Sequence, residues 1–268
     1  MFLLALGTAQ SLRAQNSVTF TSPMNVSQDN TAYQPQMVVD SAGNAFIAYL
    51  DTGPSVTAAT VWVVHGTSSG GSFHASSAPV EISPNADPNL TGINLSIAVE
   101  SPCVIDVAYA SPGNTGYLFV PYDLFVAQST DCGATFAPAV NVTNQMEGYL
   151  YPSFPQLVIS QGTVGLVWHA GALPGSISQT IFYAQRTSAT SFTSPSALAT
   201  SSSGAGSFTA FLIPTNGNTA VGWCGDDNGS SPGSVWFLPS VSGAQPIQVG
   251  AAPFAQFAVD PTGNVYIA

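Results

Sequence analysis

The sequence predicts an all-β fold built by repeating four-stranded antiparallel sheets, and three observations carry that expectation. Of 268 residues only 2 are Lys or Arg and 13 are Asp or Glu, while 25 Gly and 20 Pro punctuate a chain that is 45% hydrophobic. This length supports a large core, and turns at this density suit short strands better than helices. Second, a strand-turn-strand frame recurs along the chain, with Tyr49, Tyr109, Trp168 and Trp223 at corresponding places, 60, 59 and 55 residues apart. Third, a turn rich in Gly, Ser and Thr and ending in Phe returns at 66–73, 129–136 and 184–192. A period of this size is that of one four-stranded blade, and blades repeated around an axis make a β-propeller.

The elements follow in order. "MFLLALGTAQSLRAQ" sets apolar Phe2 to Leu6 before small residues and Leu12-Arg13-Ala14. This is the pattern of an export signal over 1–15 whose basic start would lie upstream, the alternative being an ordinary apolar N-terminus, and residues 16–268 read as one domain. "TFTSPMNVS" (19–27) aligns with "TFAPAVNVT" (135–143) and "SFTSPSALA" (191–199), so it reads as a fourth strand with no sheet before it. The first unit has its hairpin at 35–51 and third strand at 61–64. The second has a hairpin at 93–110, a third strand at 124–128 and a fourth at 139–143. In the third these lie at 155–170, 181–185 and 197–200; in the fourth a hairpin at 211–226 precedes a strand at 235–238. A fifth hairpin, "AQFAVDPTGNVYIA", reaches Ala268. In a closed ring the strand at 19–27 completes the last blade and removes an exposed edge. An open sandwich or a solenoid would also hold these strands, but would leave that segment without a partner.

"STDCGATF" (129–136) is the best copy of the recurring turn. Asp accepts hydrogen bonds from turn amides, Gly tolerates positive φ, and Phe returns the chain to an apolar layer. Ser129, Asp131, Gly133, Thr135 and Phe136 resemble the Asp-box, or BNR, repeat S-x-D-x-G-x-T-F/W, best known from sialidases. Gly70, Ser72 and Phe73 keep part of the pattern with Ser68 in place of Asp, and "AQRTSATSF" (184–192) keeps the frame with one residue deleted. The resemblance implies a sialidase-like propeller in which the box joins the third and fourth strands of a blade, away from the ligand face. If six blades are implied as well, about one and a half, or roughly 80 residues at this repeat length, are missing. The expectation is then a truncated ring with a free sheet edge.

Cys103 lies in a first turn and Cys132 in the box turn of the same unit, so both belong to one face of one blade. A Cys103–Cys132 disulfide is reasonable in an oxidising compartment, with Cys224 left over, and the alternative is three unpaired thiols. A formal charge of -11 leaves nothing to replace the counterions of a nucleic acid and disfavours anionic membranes. The acidity reads as a soluble, secreted or cell-surface exterior. No run after the N-terminal segment is long and apolar enough to span a bilayer.

The resemblance implies that ligands meet the face opposite the box turns. Its polar and aromatic candidates are Tyr122, Glu147, Tyr149, Tyr151, Trp168, His169 and Asp226. Glu147 with Tyr149 or Tyr151 is similar to the sialidase pair of a tyrosine nucleophile and its glutamate, while a solvated Glu beside packing tyrosines is the plainer reading. Sialidases hold the substrate carboxylate with three arginines; here Arg186 alone follows the export segment, on the box-turn side, so exo-sialidase activity is not expected. Asp226 and Asp227 beside Asn228 offer oxygens to calcium, although Asp-Asn-Gly is also an ordinary turn; no other cofactor is called for. His65 and His74 have no partner spacing. The leading expectation is a propeller binding a glycan or a surface protein. The alternative is a glycoside hydrolase drawing two carboxylates from Asp51, Asp87, Asp123, Glu147, Asp226 and Asp227, and a purely structural repeat is the third.

Overall fold

The computed structural model describes residues 24–53, 59–69, 72–76, 78–86, 95–112, 122–144, 151–160, 162–171, 179–200, 209–215, 218–225, 234–241, 243–251, 255–260 and 262–268. Among them every regular element is a strand and every pairing is antiparallel. The first sheet holds β1 (Ala32–Val39), β2 (Asn44–Asp51) and β3 (Ala59–Ser69), with β4 (Ser72–Ala75) and β5 (Val80–Ala86) both on β3. The second runs β6 (Leu95–Ser101), β7 (Val104–Pro112), β8 (Tyr122–Ser129), β9 (Val140–Asn141). The third holds β10 (Tyr151–Ser160), β11 (Thr163–Gly171) and β12 (Gln179–Ser188), which pairs with β13 (Ser191–Phe192) and β14 (Ser196–Thr200). The fourth runs β15 (Thr209–Thr215), β16 (Asn218–Gly225), β17 (Ser234–Leu238), β18 (Ile247–Ala251), and β19 (Phe257–Val259) pairs with β20 (Val265–Ile267). The first strands stand side by side, β1 by β6, β6 by β10, β10 by β15 and β15 by β19. The sheets are therefore blades around an axis with their first strands innermost, a β-propeller.

Strand periodicity explains the packing. Successive residues of a strand face opposite sides, and a blade with neighbours on both sides is apolar on both. Along β7, Ile105, Val107 and Tyr109 join the core with the first sheet, around Phe46, Val61 and Val63. The alternating Ala108 and Ala110 join the core with the third sheet, which includes the indole of Trp168. Val167 faces the other way, toward Val221 and Trp223 of the fourth sheet. The recurring aromatics Tyr49, Tyr109, Trp168 and Trp223 are all buried. Gly222 admits the fifth sheet, since a Cβ there would lie 2.4 Å from the Phe257 ring.

The turn at 129–135 is closed by its own side chains. Ser129 Oγ donates to Asp131 Oδ1 at 2.8 Å and accepts the Gly133 N–H at 2.8 Å. The Asp131 carboxylate accepts Thr135 N–H at 2.9 Å and Thr135 Oγ1 at 2.6 Å. These bonds from Thr135, with that from Ser129, hold the Asp131 carboxyl down to about 2, and Gly133 takes φ 77°. A disulfide joins Cys103 to Cys132, with Cα atoms 3.9 Å apart, and Cys224 is a buried free thiol. The Asp40 carboxylate accepts Cys103 N–H at 3.3 Å, tying the first sheet's turn to the second's. Of the strand expected over 19–27, residues 24–27 form coil and bends because their polar groups bond locally, as in Ser27 Oγ to Asn25 Oδ1 at 3.0 Å. Residues 19–23 and the export segment lie outside the described residues.

Candidate functional site

The face opposite the turn at 129–135 gathers polar groups at the strand ends. In the first sheet Asp51 ends β2, and its Oδ1 accepts Thr31 Oγ1 at 2.6 Å and Gly53 N–H at 2.8 Å. Asp29 lies just before β1, where its Oδ1 accepts the N–H groups of Thr31 and Ala32, each at 3.1 Å. Burial pushes the Asp29 carboxyl up, but the bonds from Thr31, Asp51, Ser27 and Ala32 outweigh it and leave the group below the usual range. Burial, reinforced by the charges of Asp29 and Asp51, pushes the Tyr49 phenol up to about 12. Thr31 thus binds two carboxylates, through its hydroxyl and its amide. The sequence candidates included Asp51 but not Asp29. The polar run "NVSQDNT" (25–31) was the available signal.

Asp123 in the second sheet is spent on structure. Its Oδ2 accepts Asn141 Nδ2 at 2.9 Å and its Oδ1 accepts Thr143 Oγ1 at 2.8 Å, which fastens β8 to β9 and the residues just after it. Tyr122 is half-buried beside it. In the third sheet Tyr151 opens β10 opposite Gly171. His169 is buried, its ring stacked on Phe154 at 4.8 Å and its Nδ1 3.4 Å from Ser153 Oγ. Trp168 departs from expectation: it is 0% exposed and stacks on Phe182 at 5.8 Å, so it packs between the second and third sheets instead of offering a ligand surface. The reason is the strand period, which turns neighbours Trp168 and His169 to opposite sides.

Glu147, Tyr149, Asp226, Asp227 and Asp87 lie outside the described residues. Among the described residues no group of three or more His, Cys, Asp or Glu is arranged to hold a metal ion. Arg186 is committed far from this face. From the distal half of β12 its guanidinium binds Glu100 of β6 and Asp106 of β7 and lies 5.4 Å over the Phe192 ring. Among the described residues the loop face therefore offers carboxylates, hydroxyls and an aromatic-imidazole pair, with no Lys or Arg. That set suits donors such as sugar hydroxyls.

No family model and no curated protein matches the chain. Solved structures do. An α-L-arabinofuranosidase of glycoside hydrolase family 93 from Fusarium graminearum, in complex with arabinobiose, superposes with a TM-score of 0.56 at 10% identity over 93% of this chain and 77% of that one. An α-L-arabinanase of Penicillium chrysogenum, also with arabinobiose, gives 0.53 at 11% identity over 89% and 74%. A family 117 glycoside hydrolase of the marine bacterium Zobellia galactanivorans gives 0.51 at 10% identity over 87% and 74%. At such identities the likeness is one of fold: this chain is a β-propeller similar in architecture to glycoside hydrolases.

Proposed function

We propose that the chain is an exported Asp-box propeller that binds a neutral glycan on its loop face. The carrying observation is the charge arrangement. Asp29 and Asp51 converge on Thr31 at that face, while Arg186, the one cation after residue 13, is held by Glu100 and Asp106. A sugar bearing a carboxylate would meet acceptors without a guanidinium clamp, whereas hydroxyls can donate to them. Two fold-similar proteins carry arabinobiose, which supports the ligand class. The Cys103–Cys132 bond supports export, because disulfides persist in oxidising compartments. The bonds among Ser129, Asp131, Gly133 and Thr135 support the Asp-box reading. Tyr122, Glu147, Tyr149, Tyr151 and Asp226 belong to the same proposed face.

The test is an array of neutral oligosaccharides, arabinobiose and sucrose included, beside sialosides. Neutral binding weakened tenfold or more by Asp51→Asn is the expected result. Sialoside binding or hydrolysis, lost on Glu147→Gln, would overturn the proposal, and so would neutral binding that ignores both Asp51→Asn and Asp29→Asn. A second reading, glycoside hydrolysis, is favoured by the two carboxylates, Asp29 and Asp51, that meet at Thr31, since such enzymes use a carboxyl pair. Reducing-end release from linear arabinan that disappears in either variant would establish it.

A further inference from the structure

Two innermost strands share an irregularity at the same place. The register of β1 with β2 shifts between Tyr33 and Gln36, and that of β10 with β11 shifts between Ser153 and Gln156. Within each shift a non-glycine residue takes a left-handed backbone, Gln34 at φ 51° and Phe154 at φ 52°. Each is followed by Pro-Gln. The fold does not require this feature. β6 shifts only at its other end, between Val99 and Ser101 beside the Cys103 turn, and β15 pairs with β16 without interruption. Left-handed φ is disfavoured for residues with a Cβ, and such departures concentrate where a bulge aims a side chain at a binding site.

Both bulges lie at the loop-face ends of their strands. Gln34 is three residues from Thr31, whose hydroxyl binds Asp51. Phe154 carries its ring against buried His169, and its neighbour Ser153 approaches the same imidazole. Both bulged side chains are half-buried. We infer that the bulges exist to present Gln34 and Phe154 as a subsite for one neutral sugar ring at the axial mouth of the propeller. The Phe154 ring, backed by His169, receives the apolar C–H face of the sugar. The Gln34 amide nitrogen supplies a donor to its hydroxyls, while its oxygen is buried. This inference rests on the neutral-glycan reading and assigns residues that reading does not name.

Glycine separates the two roles of each position. Gln34→Gly and Phe154→Gly keep the bulge and remove its strain along with the side chain. Titration with arabinobiose and with the tightest neutral binder from the array is expected to show at least tenfold weaker binding for Phe154→Gly and about fivefold for Gln34→Gly. Phe154→Tyr should retain binding, and circular dichroism should report a folded β protein throughout. Independently of any variant, the backbone amides of Gln34 and Phe154 should shift in NMR spectra of the wild-type chain as the sugar is added. Folded glycine variants that bind like wild type, or amides that do not respond, overturn this inference and leave the neutral-glycan proposal standing. A wild-type chain that binds no neutral glycan on the array overturns both.

Discussion

Asp106→Asn is expected to remove a large part of the pH dependence of stability between pH 4 and 7. Asp106 is 0% exposed in β7, and its carboxylate takes a bond from Arg186, whose guanidinium also binds Glu100. Gln128 Nε2 adds a bond to Glu100 at 2.9 Å. Two carboxylates share one guanidinium, which leaves a net negative charge in the core unless one of them holds a proton. Burial raises the Asp106 carboxyl to about 7, with Glu100 reinforcing the rise and Arg186 opposing it. Because the folded value lies above the ordinary 3.8, the folded chain binds a proton that the unfolded chain releases. The stabilisation is complete below 3.8 and is lost as pH rises through about 7. That rise corresponds to on the order of 4 kcal/mol. Asn keeps an acceptor oxygen for Arg186 and is neutral at every pH. Urea unfolding of both proteins from pH 4 to 8 at fixed ionic strength should show wild type losing about that much relative to the variant. Parallel stability curves with equal denaturant slopes would refute Asp106 as the proton holder.

Ser129→Ala leaves the Gly133 N–H without its acceptor in a site only 1% exposed, and thermal unfolding should register a loss of about 1–3 kcal/mol. Gly222→Ala drives a Cβ to 2.4 Å from the Phe257 ring and should cost about 1–3 kcal/mol, a loss that Phe257→Ala in the same chain partly restores. Replacing Cys103 and Cys132 together by Ser removes a cross-link spanning 29 residues and should lower unfolding free energy by about 3–4 kcal/mol. Dithiothreitol should produce the same loss in wild type and none in the variant.

The blades were legible because each is encoded locally. The aromatics at 49, 109, 168 and 223 mark second strands whose side chains the neighbouring blades bury, and the Gly-, Pro- and Asn-rich stretches between strands mark where the chain turns. The disulfide was legible for the same reason, since two turns on one side of a single blade are neighbours whatever surrounds them. Trp168 and His169 show where this stops. They are adjacent in "WHAG", yet only the stacking of one sheet on the next decides that the indole joins the core with Ala108 and Ala110 while the imidazole meets Phe154. The bulges were visible only as a repeated Pro-Gln, because a left-handed residue before Pro has no compositional mark of its own.

The sequence by itself determined the all-β class, the repeating blade, the turn chemistry of Asp131 and the shortage of cations that argues against a carboxylate-bearing ligand. These depend on strand alternation, turn residues and net charge, all properties of a few neighbouring residues or of the whole composition. Tertiary structure alone decided which groups meet across blades: Arg186 with Glu100 and Asp106, 86 and 80 residues away, and Asp40 with the amide of Cys103, 63 residues away. It also decided that Asp29, in an undistinguished polar run, shares Thr31 with Asp51, 20 residues on. Such pairings are set by the angle and spacing at which whole sheets pack around the axis, and that geometry belongs to no single stretch of the chain.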